Sequence, residues 1–386
     1  MNPDSLLFSF FLIFTSAAIL STVALFARQP LLVAYIVVGV ILGPYGLGYV
    51  AEANLLADIA EFGIIFLLFL LGLDMQPSKL TVTLRNTFLL TLASSLAFFL
   101  LGFGTGIAFS FTTLESVVIG CSMIFSSTII GIKLLPTTVL HQKHMGEIMV
   151  GILLLQDFIA IFIIAFLDSG NIDEANALQV LLAFPVLLLL AFTMTRFVLI
   201  SLIARFDHFK EYIFLLAIGW CLGLSELAAW MGLSAEIGAF VAGVTLATNP
   251  ISLFISQSLK PLRDFFLILF FFSLGAQFNL GLLSEIMAPA LLLAALALSM
   301  KPVIFHYLLR RFSERNRLAW DAGLRLGQIS EFSLLIAFVA LQSAVIGEVA
   351  ALTIQGAAIV TFLISSYIVV MYCPTPIAPN PKLRRD

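Results

Sequence analysis

Apolar residues run in blocks of roughly 20 along almost the whole chain, with short polar stretches between them. Each block is long enough to cross the roughly 30 Å hydrocarbon core of a bilayer as a helix. The pattern predicts thirteen spans, at 5–26, 31–43, 53–73, 86–109, 115–139, 146–167, 176–199, 210–230, 234–247, 262–279, 288–310, 318–342 and 349–372. The second and ninth are short. Alternating strand patterns are absent, so a transmembrane β-barrel is rejected. The expected fold is an all-α polytopic membrane protein of about 13 transmembrane helices. It forms a single transport domain over 1–375, followed by a short cytoplasmic tail at 376–386.

Composition agrees. Of 386 residues, 61% are hydrophobic and only 11% charged, against about a quarter charged in soluble domains. The 37 Phe residues suit lipid-facing helices. The first block follows Asp4 rather than a basic segment and is long for a signal peptide, so it reads as the first span. Cys121 and Cys221 fall within predicted spans and Cys373 at the end of the last, and the three make neither a disulfide framework nor a zinc motif.

Charge sets the orientation. The far ends of odd-numbered spans, the stretches after them and the starts of the next spans hold Arg28, Lys79, Arg85, Lys133, Lys143, Arg196, Arg205, Lys210, Lys260, Arg263, Arg310, Arg311, Arg315, Arg317, Lys382, Arg384 and Arg385, which are 17 of the 19 basic residues. Those after even-numbered spans hold acids, such as Glu52, Glu115, Asp173 and Glu348. The positive-inside rule then places the N-terminus outside and the C-terminus in the cytoplasm. Lys301 and Arg325 are left inside spans.

The sixth span reads "MVGILLLQDFIAIFIIAF" and carries Gln156 and Asp157 near its middle. Ten residues from Glu147 at about 1.5 Å each put Asp157 roughly 15 Å deep, half the hydrocarbon thickness. An unpaired charge there costs several kcal/mol, so the group is protonated, paired or facing water. A site that alternates between a proton and a cation meets that requirement. A neutral acid joining two helices is the structural alternative. Gln156 points to an adjacent face, where its amide oxygen can coordinate a cation or accept an interhelical hydrogen bond.

Two further spans are interrupted by polar residues. The fifth has Ser126, Ser127 and Thr128 at mid-depth, and the twelfth has Gly327, Gln328, Ser330 and Glu331. Interrupted helices at corresponding places in two halves point to a transporter binding site. Spans four to six and eleven to thirteen would be such halves, of opposite topology. Glu331 is then placed to offset the positive N-terminal ends of half-helices. Lys301 lies about 13 Å from Arg310 along its helix, too deep to snorkel out, so it faces the bundle interior. Helix C-terminal carbonyls, Asp157 or Glu331 are its natural partners. Glu61 and Asp74 read as solvated flanks, and His141 and His144 as a solvated pair.

Six ordered segments carry a family resemblance. They are "YIVVGVILGPYGLG", "AEFGIIFLLFLLGLDM", "LLLQDFIAI", "GLSAEIGAFVAGVTLA", "FFFSLGAQFNL" and "GQISEFSLLIA". The chain resembles the membrane domain of the monovalent cation:proton antiporter-2 family, and within it the KefB/KefC glutathione-gated potassium efflux branch. The resemblance implies an NhaA-like fold with inverted repeats and two crossed broken helices. The core would come from about 86–167 and 288–372, and the rest would serve dimerisation. It implies a homodimeric monovalent cation/proton antiporter in the bacterial inner membrane, exchanging K⁺ or Na⁺ for H⁺ without a cofactor. Asp157 would bind the proton or the cation, helped by Gln156, Ser126, Ser127 and Thr128. Lys301 and Glu331 would balance the broken helices. Electrogenic relatives have a second aspartate where this chain has Gln156, which favours electroneutral exchange. A regulatory nucleotide-binding domain or subunit belongs to that branch but is absent from this chain, so glutathione gating is not carried over. A cation channel or uniporter is the rival class. An intramembrane aspartyl protease would need a second midplane aspartate facing Asp157.

Overall fold

A computed structural model describes residues 6–27, 29–50, 53–74, 77–127, 144–168, 174–206, 208–312 and 314–373. The expectations placed on Thr128, Lys133 and His141, and on the side chains of Glu61, Asp74, His144 and Glu147, lie outside the described residues. All regular structure among the described residues is helical. The helices are α1 (Leu6–Phe26), α2 (Leu31–Leu42), α3 (Ala53–Asp74), α4 (Pro77–Ala108), α5 (Thr113–Ile124) and α6 (His144–Asp168). Then come α7 (Glu174–Met194), which runs through one π-helical turn (Thr195–Leu199) into α8 (Ile200–Arg205), and α9 (Lys210–Trp230). The rest are α10 (Ala235–Ala247), α11 (Ile251–Ala276), α12 (Leu283–Arg311), α13 (Asn316–Arg325), α14 (Glu331–Gln342) and α15 (Glu348–Tyr372).

Six helices among the described residues are long and apolar enough to cross a membrane, and six shorter apolar helices accompany them. Helices suit this environment because each satisfies its own backbone groups. The chain is thus a multi-pass membrane protein. Several helices outrun their predicted spans. The helix α11 starts at Ile251, where a loop over 248–261 is predicted instead, and it runs through Pro261. A proline removes one ladder hydrogen bond, and the buried Ile255 and Leu259 pack the preceding turns into an apolar cluster with α3 and α9. The helix α4 begins at Pro77, the first helical position, where a missing N–H costs nothing.

Two crossings set the frame. At the first, α2 meets α11, and a Cβ on Gly39 would collide with the Phe272 carbonyl, as one on Gly275 would with that of Ile36. At the second, α3 meets α10, with Gly72 against the Phe240 carbonyl and Gly243 against that of Phe69. Only glycine allows backbones this close. The two crossings are reciprocal. Gly39 and Gly243 are each the ninth residue of a short helix, and Gly72 and Gly275 each lie near the end of a long one.

Helices α4, α5, α6, α12, α14 and α15 share one buried apolar cluster, which includes Phe98, Met149, Phe305 and Phe362. That cluster surrounds the interruptions in the fifth and twelfth predicted spans.

Candidate functional site

The first interruption follows α5. Thr112 and Glu115 form a capping box at the start of that helix, and Glu115 Oε1 also accepts from the backbone N–H of Gly347, which precedes α15. The helix stops at Ile124, and Phe125 turns extended, with φ −84° and ψ 144°. The second interruption is the non-helical run 326–330 between α13 and α14.

A helix end leaves carbonyls without helical partners, and burying them unmet costs free energy. Here side chains from several helices meet them. Ser333 Oγ donates to Ser122 O at 2.6 Å, and Gln156 Nε2 donates to Ile124 O at 3.0 Å. Lys301 Nζ donates to Phe125 O at 2.8 Å, and Gln328 Nε2 to Ser127 O at 3.3 Å. At the end of α13, Gln328 Nε2 also reaches Arg325 O at 2.8 Å, Ser126 Oγ donates to Leu326 O at 2.8 Å, and Lys301 donates to Gln328 O at 2.9 Å. On the far side of the break, Ser330 caps α14, and Thr361 Oγ1 of α15 accepts from Ile329 N–H at 3.2 Å. The two breaks therefore meet and satisfy one another's backbone groups.

Lys301 is completely buried, and its ammonium also lies 4.9 Å from the centroid of the Phe98 ring. Each helix C-terminus carries about half a negative charge. Two such ends together favour the ammonium form of the lysine that bonds them. Glu331 occupies the first turn of α14, where a carboxylate is favoured by the partial positive charge of the N-terminus.

Asp157 is 6% exposed and sits within electrostatic range of Glu331. Its neighbour Gln156 is also buried, and its carboxamide faces the first break on both sides. Besides the donation to Ile124, Gln156 Oε1 accepts from Ser126 N–H at 3.0 Å. Ser126 and Ser127 are buried in the break itself. The structure thus brings Gln156, Asp157, Ser126, Ser127, Lys301 and Glu331 together, whereas Thr128 lies outside the described residues. Chemically, this is a buried cluster of backbone and hydroxyl dipoles beside a carboxylate.

Three contributors carry little signal in the sequence. Ser333 on α14, and Thr361 and Ser365 on α15, all bond to the breaks. Thr361 and Ser365 are four apart and share a face, a weak signal within an apolar span. Arg325 is left inside a predicted span. Its guanidinium is fully buried and pairs with Asp321 at 3.0 Å, one turn earlier on α13. That acid–base spacing of four was legible in the sequence.

Comparison with known proteins gives the same picture. The chain is 29% identical to K(+) efflux antiporter 4 of Arabidopsis thaliana over 320 residues, covering 80% of this chain and 54% of that protein. K(+) efflux antiporter 6 of the same plant is 29% identical over 321 residues, with the same coverage. Iron transporter MagA of Paramagnetospirillum magneticum is 29% identical over 322 residues, covering 80% of this chain and 72% of that protein. The chain spans about half the length of the plant relatives. The family described as "Sodium/hydrogen exchanger, transmembrane" matches residues 11–373, nearly the whole chain and both helix breaks. The chain belongs to the transmembrane sodium/hydrogen exchanger family.

Proposed function

We propose that the chain is the transport unit of a K⁺/H⁺ antiporter, with a proton and the cation competing for Asp157. The observation that carries this reading is a buried carboxylate beside two helix breaks that meet, with Lys301 bonded to a backbone carbonyl of each. A cation entering such a pocket leaves its hydration shell and needs replacement dipoles. Ser126, Ser127 and Thr128 would supply them, together with the second lone pair of Gln156 Oε1. Either occupant of Asp157 cancels its charge. If Lys301 and Glu331 keep theirs throughout the cycle, the loaded site carries the same charge with a proton as with a monovalent cation, and exchange is electroneutral. Alternating access follows from moving this one site between two sides of the membrane.

The architecture expected for this activity is an NhaA-like bundle of thirteen spans, N-terminus outside, working as a homodimer in a bacterial inner membrane. Support comes from the reciprocal glycine crossings, which behave as an inverted repeat would. That repeat would pair α2 with α10 and α3 with α11.

Three relatives of equal identity carry printed names that differ in the ion, so identity does not choose between ions. The choice rests on a pH-jump assay in proteoliposomes with K⁺, Na⁺, Rb⁺, Li⁺ and Fe²⁺ in turn. The proposal requires proton flux driven by K⁺ and insensitive to an imposed membrane potential. Flux driven by Na⁺ alone would replace K⁺ with Na⁺ in the same mechanism. Single-channel current without counterflow would overturn antiport.

A further inference from the structure

Gln328 lies fully buried within the second break. Its amide nitrogen has two hydrogens, and both go to backbone carbonyls. One goes to Arg325 at the end of α13, the other to Ser127 in the break after α5. Its amide oxygen accepts the hydroxyl hydrogen of Ser365, on α15, at 3.1 Å. Its own backbone carbonyl is held by Lys301 at 2.9 Å.

These partners leave the carboxamide one orientation. Carbonyl oxygens can be met only by the nitrogen, so the oxygen must face Ser365. One side chain thus ties the first break to the second and both to α15. Thr361, one turn earlier on α15, takes the N–H of Ile329, so α15 grips the second break at two adjacent residues. Helix α15 carries no residue expected at the ion site, yet it sets the position of the break that does.

We propose that Gln328, oriented by Ser365, is a positioning residue for the ion site. It fixes the spacing between the two breaks, and with it the placement of Ser126 and Ser127 relative to Asp157. Gln328 touches no transported ion in this role. The inference rests on the reading that Asp157 is that site.

The test uses the full chain in proteoliposomes, with Ser365→Ala, Ser365→Thr, Gln328→Met and Asp157→Asn compared to the unmodified protein. Removing the Ser365 hydroxyl leaves the buried carboxamide oxygen without its donor and loosens the hold of α15 on the second break. Ser365→Ala should therefore raise the KM for the driving cation about tenfold, as expected for one buried hydrogen bond. Its maximal rate should stay within about twofold, and Ser365→Thr should restore the KM. Gln328→Met should raise the KM further. An unchanged KM in Ser365→Ala, or a loss of maximal rate alone in both variants, overturns the inference. If Gln328→Met does not fold, Ser365→Ala still decides. Asp157→Asn separates the two levels. Its inactivity leaves the site reading standing whatever Ser365→Ala does, and its normal exchange removes the reading and the inference together.

Discussion

Lys301 Nζ stands 2.8 Å from the carbonyl oxygen of Phe125, 176 residues away in sequence. That bond joins the ammonium of α12 to the point where α5 loses its helical ladder. The same ammonium meets the carbonyl of Gln328 at 2.9 Å, so one positive charge serves two helix ends. The ends are half-charges fixed in the backbone and cannot leave. The lysine is thereby met by backbone oxygens of both breaks.

Replacing Lys301 with Met keeps the length of the side chain and removes its three donors. Two buried carbonyls then lose a partner, at about 1–3 kcal/mol each. The variant should melt several degrees lower in detergent. Arg at this position should not rescue it, because a planar fork does not match a site shaped for a compact ammonium. A melting curve for Lys301→Met that overlays the unmodified protein would rule out the two-ended role.

Gly243 and Gly72 let α10 and α3 touch backbone to backbone. Gly243→Ala puts a Cβ into the carbonyl of Phe69, and neither backbone can yield without parting the helices. Overpacking of this kind costs about 1–3 kcal/mol. Gly39→Ala should cost a similar amount, since the reciprocal crossing meets the carbonyl of Phe272 in the same way. By contrast, Gly219→Ala and Gly223→Ala on α9 meet open space and should leave the melting temperature unchanged or slightly raised. Thermal unfolding of the four variants checks this ordering.

The Asp321–Arg325 pair makes a double-mutant prediction. Removing Asp321 alone takes a carboxylate partner from a fully buried guanidinium, and breaking such a pair costs roughly 3 kcal/mol. The figure sits at the low end of the usual range because Asp321 is about a fifth exposed. Replacing both residues, with Asp321→Leu and Arg325→Met, should recover most of that loss. Stability measurements that show the double variant as poor as the sum of the singles would contradict this account.

Glu115 does two jobs. It completes the capping box of α5 and holds the N–H of Gly347 ahead of α15. Glu115→Ala should cost about 1 kcal/mol from the cap. Hydrogen exchange should also accelerate at Gly347 as well as at Thr112. Faster exchange at Thr112 alone would mean the link to α15 carries no weight.

Much of this was legible in the sequence, for identifiable reasons. Asp157, Lys301 and both helix breaks stood out because a polar residue in a 20-residue apolar block has few innocent explanations. Partners were harder to see. That Lys301 would bond Phe125 and Gln328 depends on a meeting of segments about 200 residues apart, which no local pattern encodes. Ser333, Thr361 and Ser365 escaped because a hydroxyl in an apolar helix usually bonds its own preceding turn, as Thr353 does to Val349. The glycine crossings were half visible. The segments "VGVIL" and "AGVTL" in α2 and α10 resemble one another, as do "LLGL" and "SLGA" near the ends of α3 and α11. Their pairing became plain only when the backbones were seen to meet. The early end of α5 was hidden because Phe125 is as apolar as its neighbours, and backbone direction rather than hydropathy marks the break.

The proposed exchange depends most directly on Asp157. Asp157→Asn keeps the shape of the side chain and removes the acid that would exchange proton for cation. Cation-dependent proton flux in proteoliposomes should be abolished in this variant at every pH, while its melting temperature remains close to that of the unmodified protein. Exchange at the normal rate by a folded Asp157→Asn protein would contradict the account.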